Sequence, residues 1–491
     1  MSTRAALVRS CGRAEPVSIA RSARAIPGRP AAPYRPSRPG GHTTTNVDGK
    51  SIGGWKRGAV VAVPAFVFAA GLGLGKIVRD CSLTCNVGYR YAPLAILAVA
   101  LAVVPLASVA IRSERRWGYR RWQLSSLALA AASLIGFRLL TFWLVRGQDA
   151  ALAAGRPDAA WLEALRWAYL AFYVWVGALA TLLSANVLSS VQRVFPAEER
   201  ERGVAGLPLA FALGGLAGSL LASEGAAWLM TRFHWRYEAV RDHLMIAMAA
   251  CFLLQVPVVL AIERLFPPPR ATEAPSGRAS LSAALRRVFA TRVTSGIAAV
   301  VLLGGAADTL LAYGFYWLVS LQVGYENGRT LYFATFYAWL NGVNLALLAF
   351  GTPRLIQRFG LGFALVSLPL AAAAGASVLA IHAVVTVMYA LRIATTSLRS
   401  ALYEPALNRL LVAIPAGEGG PTRLLRGLIP RFGEALGAVV ALVFSLVPAL
   451  DVRALALLLV ALLLAWAAAA AALRSALPPR DGAGGVWRVD E

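Results

Sequence analysis

The side chains that could do chemistry in this chain stand inside otherwise apolar stretches. Lys76, Arg79 and Asp80 close one stretch, Arg138 lies deep in another, and Glu224 lies toward the end of a third. Asp308 follows Gly304-Gly305, and Asn341 sits in a run rich in aromatic residues and Leu. Arg431 and Glu434 stand three apart, on one helical face. A charge at the middle of a bilayer costs at least ~2.5–3.5 kcal/mol, so such residues line a wet cavity or pair with one another. The chemistry they allow is recognition of a charged solute and exchange of a proton, rather than bond cleavage. Lys76, Arg79 and Arg138 suit an anion. Asp308 suits either protonation or a salt bridge to Arg138.

Each residue also has a plainer structural reading. Lys76 and Arg79 would compensate the dipole of a helix C-terminus. Arg138 would snorkel toward Arg146 and the interface. Glu224 would be hydrated at an interface, and Arg431 and Glu434 would simply pair. Asn341, like Asn186 and Asn344, would hydrogen-bond a neighbouring helix.

No enzyme signature accompanies these residues. Gly214, Gly215 and Gly218 lack the following Gly-Lys-Ser/Thr of a phosphate loop and read as close helix packing. The four histidines, His42, His234, His243 and His382, show no metal-ligand spacing, and no cofactor is expected. Cys81 and Cys85 share a helical face at a spacing of four. They are either a metal or redox pair or two small residues near a helix end.

The elements that must position these residues are membrane helices. The chain is 58% hydrophobic and only 15% charged, against about 25% charged for soluble domains. A helix crosses the hydrocarbon core with roughly 20 apolar residues. Twelve stretches qualify: 58–78, 91–111, 122–145, 161–190, 204–229, 243–265, 297–322, 332–350, 362–380, 382–403, 426–448 and 452–474. They are rich in Leu and Ala without period-2 alternation, which predicts helices rather than a barrel. The ninth and tenth are nearly continuous, so eleven helices is the other count. The expected class is an all-α polytopic membrane protein with two six-helix halves, 58–265 and 297–474.

The net charge of +24 belongs to topology. Of 48 basic residues all but Lys50, Lys56 and Lys76 are Arg, gathered in tails and alternating loops. No nucleic-acid-binding motif accompanies them, so membrane lipid is the expected partner and nucleic acid is not. Loops after even-numbered spans are the richer in Arg. They include Arg112 to Arg121, Arg193 to Arg202, Arg354, Arg358, Arg392, Arg399 and Arg409. Both termini and the central loop are therefore expected on the cytoplasmic side. Residues 1–57 carry eleven Lys/Arg with only Glu15 and Asp48 as acids, and no apolar core of a signal peptide. They read as a disordered cytoplasmic tail, or as sequence ahead of a natural start near Val47. Residues 266–296 form a Pro-rich linker whose 281–292 segment suits an amphipathic surface helix. Residues 475–491 form the C-terminal tail. The scarcity of Lys beside Ala, Arg and Gly suggests a GC-rich bacterial source, hence an inner membrane.

A short repeat relates the halves. Arg116-Trp117-Gly118 follows the second span and Arg358-Phe359-Gly360 follows the eighth, at corresponding places. Glycine permits a tight turn there.

This organisation resembles the major facilitator superfamily, which has two six-helix halves and a basic, Gly-containing turn between helices two and three. Ser113 through Arg121 is a loosened version of that turn. A narrower resemblance is to the ATP/ADP translocase (nucleotide transporter) branch and its bacterial relatives. It rests on Gly75-Lys76-Ile77-Val78-Arg79-Asp80 with Gly88 and Pro93 downstream, and on Phe195-Pro196 through Arg202 with Gly206, Gly214, Gly215 and Gly218. It rests also on Phe333 through Gly360, on Ala401-Leu402-Tyr403-Glu404-Pro405, and on Arg431-Phe432-Gly433-Glu434-Ala435-Leu436-Gly437. The departures lie at charges. Ile96 and Glu434 stand where nucleotide exchangers of that branch carry Lys, and Thr422 and Arg426 replace a Lys and an Asp.

The resemblance implies a secondary-active transporter of a small anionic metabolite, with nucleotide-related solutes in range and a proton or counter-substrate as coupling partner. Substrate would bind between the halves at mid-membrane, with Lys76, Arg79 and Asp80 as a basic mouth. The rival reading is a non-transporting scaffold or partner protein built on the same fold. Enzymatic activity is not expected.

Overall fold

The computed structural model describes residues 54–155, 159–195, 206–233, 237–266, 281–324, 327–412 and 424–476. Most of the N-terminal tail, the 267–280 linker, Thr422 and Arg423 and the C-terminal tail lie outside the described residues.

Helix α1 spans Gly54–Ser82, so it begins inside the stretch read as tail. A π-turn, Leu83–Val87, extends it until Gly88 breaks the run at φ 98°. Helix α2, Ala92–Ala153, opens with Pro93 in its first turn, where the missing N–H costs nothing. It carries the second and third expected spans. Then come α3 (Ala159–Val194), α4 (Leu207–Phe233), and α5 (Tyr237–Leu253) with α6 (Val256–Leu265), which share the sixth span. The short α7, Leu281–Val288, is the amphipathic segment. Helix α8, Arg292–Gln322, is N-capped by Thr291, whose hydroxyl accepts from the Thr294 amide at 3.2 Å. Helices α9 (Asn327–Ala346), α10 (Thr352–Ile381), α11 (Val385–Leu398), α12 (Glu404–Val412), α13 (Ile429–Leu446) and α14 (Val452–Ala476) complete the order.

Eleven helices among the described residues are long and apolar enough to cross a membrane. The tenth expected span is present too, as α11, a π-turn over Arg399–Tyr403 and α12 in unbroken succession. It misses the apolar criterion because Arg392, Arg399 and the hydroxyls of Thr395, Thr396 and Ser397 interrupt it. Residues His382–Val384 separate it from α10. Gln322 clamps that junction: its amide nitrogen donates to the Ala383 carbonyl at 3.0 Å, and its oxygen accepts from the Val385 amide at 2.7 Å.

The two Arg-aromatic-Gly turns have the same backbone. Gly118 kinks α2 at φ 77°, ψ 166°, and Gly360 kinks α10 at φ 77°, ψ 176°. That region is essentially reserved for glycine, so each turn needs its Gly.

A second pair of glycine contacts repeats in the same way. A Cβ on Gly214 or Gly218 of α4 would run into the Phe66 or Ala70 carbonyl of α1. A Cβ on Gly433 or Gly437 of α13 would run into the Leu302 or Ala306 carbonyl of α8. Gly-x-x-x-Gly spacing lets backbones touch where no hydrophobic force separates helix from lipid. The first and fifth spans of each set of six thus meet through the same device. The two sets pack on each other through α4 with α9, α2 with α13, and α1 with α9. Outward faces carry exposed Leu101, Leu139, Trp143, Leu446 and Leu464, as a lipid-facing surface requires.

Candidate functional site

Two groups of charges converge between the helices. The first is built on α1. The Arg79 Nε donates to Asp80 Oδ1 at 2.7 Å, and the guanidinium lies 4.5 Å from the centre of the Tyr173 ring on α3. The Tyr337 hydroxyl of α9 donates to the other oxygen, Asp80 Oδ2, at 2.5 Å. Asp80 is 1% exposed, so both of its oxygens are paired, as burial demands. The Tyr173 and Tyr316 hydroxyls stand 3.4 Å apart beside this group. Lys76, one turn earlier, is exposed, and its ammonium lies 6.0 Å from the centre of the Tyr337 ring.

The second group is built on α8. Asp308, at the middle of that helix, receives Arg392 Nη1 on Oδ1 at 2.7 Å and Arg399 Nη1 on Oδ2 at 2.9 Å. Arg399 also reaches Glu404 at 3.9 Å. Arg392 and Arg399 are seven residues apart, close to two helical turns, so one helix presents both to α8. Lys76 feels the charges of both Asp308 and Arg392. Arg392 also lies within electrostatic reach of Tyr316 and Tyr337. The two groups therefore lie within electrostatic reach of each other.

Of the residues singled out in the sequence, Lys76, Arg79, Asp80 and Asp308 are brought together. Arg431 and Glu434 form the expected i,i+3 pair at 2.7 Å, with Glu434 in electrostatic reach of Arg399. Asn341 donates to the Tyr337 carbonyl at 2.8 Å and to Ser219 Oγ of α4 at 3.4 Å. Its amide lies against Gly215, where a Cβ would collide with it. It serves as a seam between α4 and α9, one turn from Tyr337. Glu224 is exposed on α4 and joins neither group.

The salt bridge expected between Asp308 and Arg138 is not formed. Both oxygens of Asp308 are taken by α11 and the π-turn after it. The Arg138 guanidinium lies 5.0 Å from the centre of the Phe142 ring, which Arg146 shares at 4.5 Å. That is the snorkelling geometry. Arg392 and Arg399 correct the topology count as well: they are ion-paired membrane-span residues, not loop cations. Their spacing of seven inside a predicted span was the signal that could have found them. Tyr173, Tyr316 and Tyr337 gave none, because Tyr at helical spacing reads as core.

Polar contacts at the start of α9 join it to α1 and α8. Buried Arg329 at the start of α9 donates to the Thr84 carbonyl at 2.6 Å and to the Ser320 carbonyl at 2.7 Å, tying the ends of α1 and α8 together. Beside it Thr330 Oγ1 donates to Cys81 Sγ at 2.5 Å, and Cys81 and Cys85 lie 3.5 Å apart. The Tyr89 and Trp317 rings stack at 5.7 Å and 8°. The thiol pair is packed between helices, and the described residues contain no group of three or more His, Cys, Asp or Glu placed to hold a metal.

No family model and no curated protein matches the sequence. Solved structures do. The nucleoside transporter NupG is 11% identical, covers 85% of this chain and 99% of its own, and has a TM-score of 0.57. The inward-open xylose transporter XylE from E. coli is 13% identical over 84% of this chain and 95% of its own, at 0.54. The chain shares the fold of these solved transporters. A third neighbour, the major facilitator superfamily transporter FucP in its outward conformation, is 13% identical over 84% and 97%, at 0.51. At such identities the likeness concerns the fold. These neighbours are transporters rather than enzymes, and the chain is an integral membrane protein.

Proposed function

We propose that this protein is a secondary-active transporter of a small anionic metabolite, nucleotide-related solutes included. The single observation that carries this reading is that two charge groups, Lys76 with Arg79 and Asp80, and Asp308 with Arg392 and Arg399, lie between the helices within electrostatic reach of each other. Charges inside a membrane are expensive. A scaffold would spread them along helix seams, whereas a solute pathway gathers them. The cations outnumber the carboxylates, since Lys76 has no ion-pair partner among the described residues. Tyr173, Tyr316 and Tyr337 add hydroxyls and ring faces that fit a polar organic solute.

Alternating access would come from rocking of residues 58–265 against 297–474, with the Arg329 contacts opening and closing one end. A proton on Asp308 or a counter-substrate would supply the coupling. The basic loops favour cytoplasmic termini in a bacterial inner membrane. Uptake of nucleotides and organic anions into proteoliposomes tests the proposal. Failure of every solute to move would refute it.

A further inference from the structure

We infer that Lys76, Arg392 and Arg399 form an oxyanion-binding site that Asp308 occupies when no solute is present. The inference rests on the transporter reading above and names the group the site recognises. The geometry is that of an internal stand-in. One carboxylate bridges two guanidinium groups, a separate oxygen to each, at 2.7 and 2.9 Å. A carboxylate or phosphate of a solute presents the same pair of oxygens to the same donors.

Three observations favour a ligand here over a finished structural ion pair. First, Arg392 Nε is buried and has no hydrogen-bond partner among the described residues, although a buried guanidinium N–H normally finds an acceptor. The Asp308 contact uses Nη1 and leaves that donor free. Second, Lys76 is an exposed residue with no ion-pair partner among the described residues, and Asp80, Arg392 and Asp308 all lie within its electrostatic reach. Third, Asp308 is not sealed in: its side chain remains 38% exposed, more than Arg392 at 16% or Arg399 at 25%. It borders a crevice with Thr395, Arg399 and Gly304. Arg79 is excluded from the site because Asp80 neutralises it. Glu404, 3.9 Å from Arg399, keeps that guanidinium compensated when Asp308 leaves.

A dianionic solute would take the Nη1 donors of Arg392 and Arg399 that Asp308 holds, displacing it, and would add the free Arg392 Nε and the Lys76 ammonium. Affinity is then set by competition between the solute and Asp308. Asp308→Asn removes the competitor and keeps the shape. Lys76→Gln removes a cation with no ion-pair partner among the described residues, so it leaves the ion pairs standing and keeps the test valid if Asp308→Asn folds poorly.

The test is calorimetric titration of the full-length protein in detergent at neutral pH, with inorganic phosphate in one arm and succinate in the other. The arms tell a phosphate site from a carboxylate site. The expected result is binding by the parent in at least one arm, roughly tenfold or more tighter in Asp308→Asn and roughly tenfold weaker in Lys76→Gln. Equal or weaker binding by Asp308→Asn, or parental binding by Lys76→Gln, overturns the inference, as does absence of binding in all three proteins. The transporter reading is judged separately, by flux across the wider solute panel. A protein that transports but shows no Asp308 competition would sink this inference alone.

Discussion

The Tyr337 hydroxyl donates to the Asp80 carboxylate at 2.5 Å, tying the last turn of the first membrane helix to α9. Among the described residues, Asp80 has one other side-chain partner, Arg79. Its burial makes both partners necessary, because an unpaired buried carboxylate oxygen bears the full cost of its desolvation.

Tyr337→Phe should therefore destabilise the protein by about 1.5–3 kcal/mol, the usual worth of a hydrogen bond to a charged group. The check is the unfolding midpoint in detergent. Tyr332→Phe is the control: that hydroxyl is buried without a partner among the described residues, so its loss should be neutral or stabilising.

Gly118→Ala and Gly360→Ala should each cost on the order of 1–3 kcal/mol, because both positions hold φ 77° with extended ψ. Equal losses at both turns are expected from their equal geometry. Gly342→Ala, inside α9 with nothing within 4 Å of an added Cβ, should instead stabilise by about 0.5–1 kcal/mol. Thermal scans of the three variants decide the matter.

The Arg329 end of the bundle makes a prediction about cysteine chemistry. Cys81 and Cys85 are buried beneath Arg329 and Thr330. Arg329→Ala removes the donor that ties α1 to α8, so maleimide modification of Cys81 should become severalfold faster. Peptide mass spectrometry reads this directly. Unchanged labelling would mean that the Arg329 contacts do not hold that end shut.

Much of this architecture was legible in the sequence because hydropathy and glycine placement act locally. The apolar spans, the paired turns at Gly118 and Gly360, and the packing role of Gly214 and Gly218 follow from composition and spacing alone. The charge pairs did not. Arg392 is 84 positions from Asp308 in the chain, and which helices face each other is decided by packing that no local pattern encodes. Arg392 and Arg399 were read as topology signals because the positive-inside rule counts basic residues without asking for partners. Arg138 shows the converse: a charge deep in an apolar run turned out to lie on Phe142, beside Arg146, and away from the site.

The most direct measurement of the central claim is solute flux in proteoliposomes containing the parent, Arg79→Ala and Asp308→Asn, each matched for monodisperse folded protein. The parent should take up or exchange at least one small anion. Each variant should lose roughly tenfold or more of that rate: Arg79→Ala because buried Asp80 loses its cation, and Asp308→Asn because no carboxylate then returns to the guanidinium groups to release the solute. If no solute moves, or if both variants keep the parental rate, the charges between the helices do not form a transport site and the account is wrong.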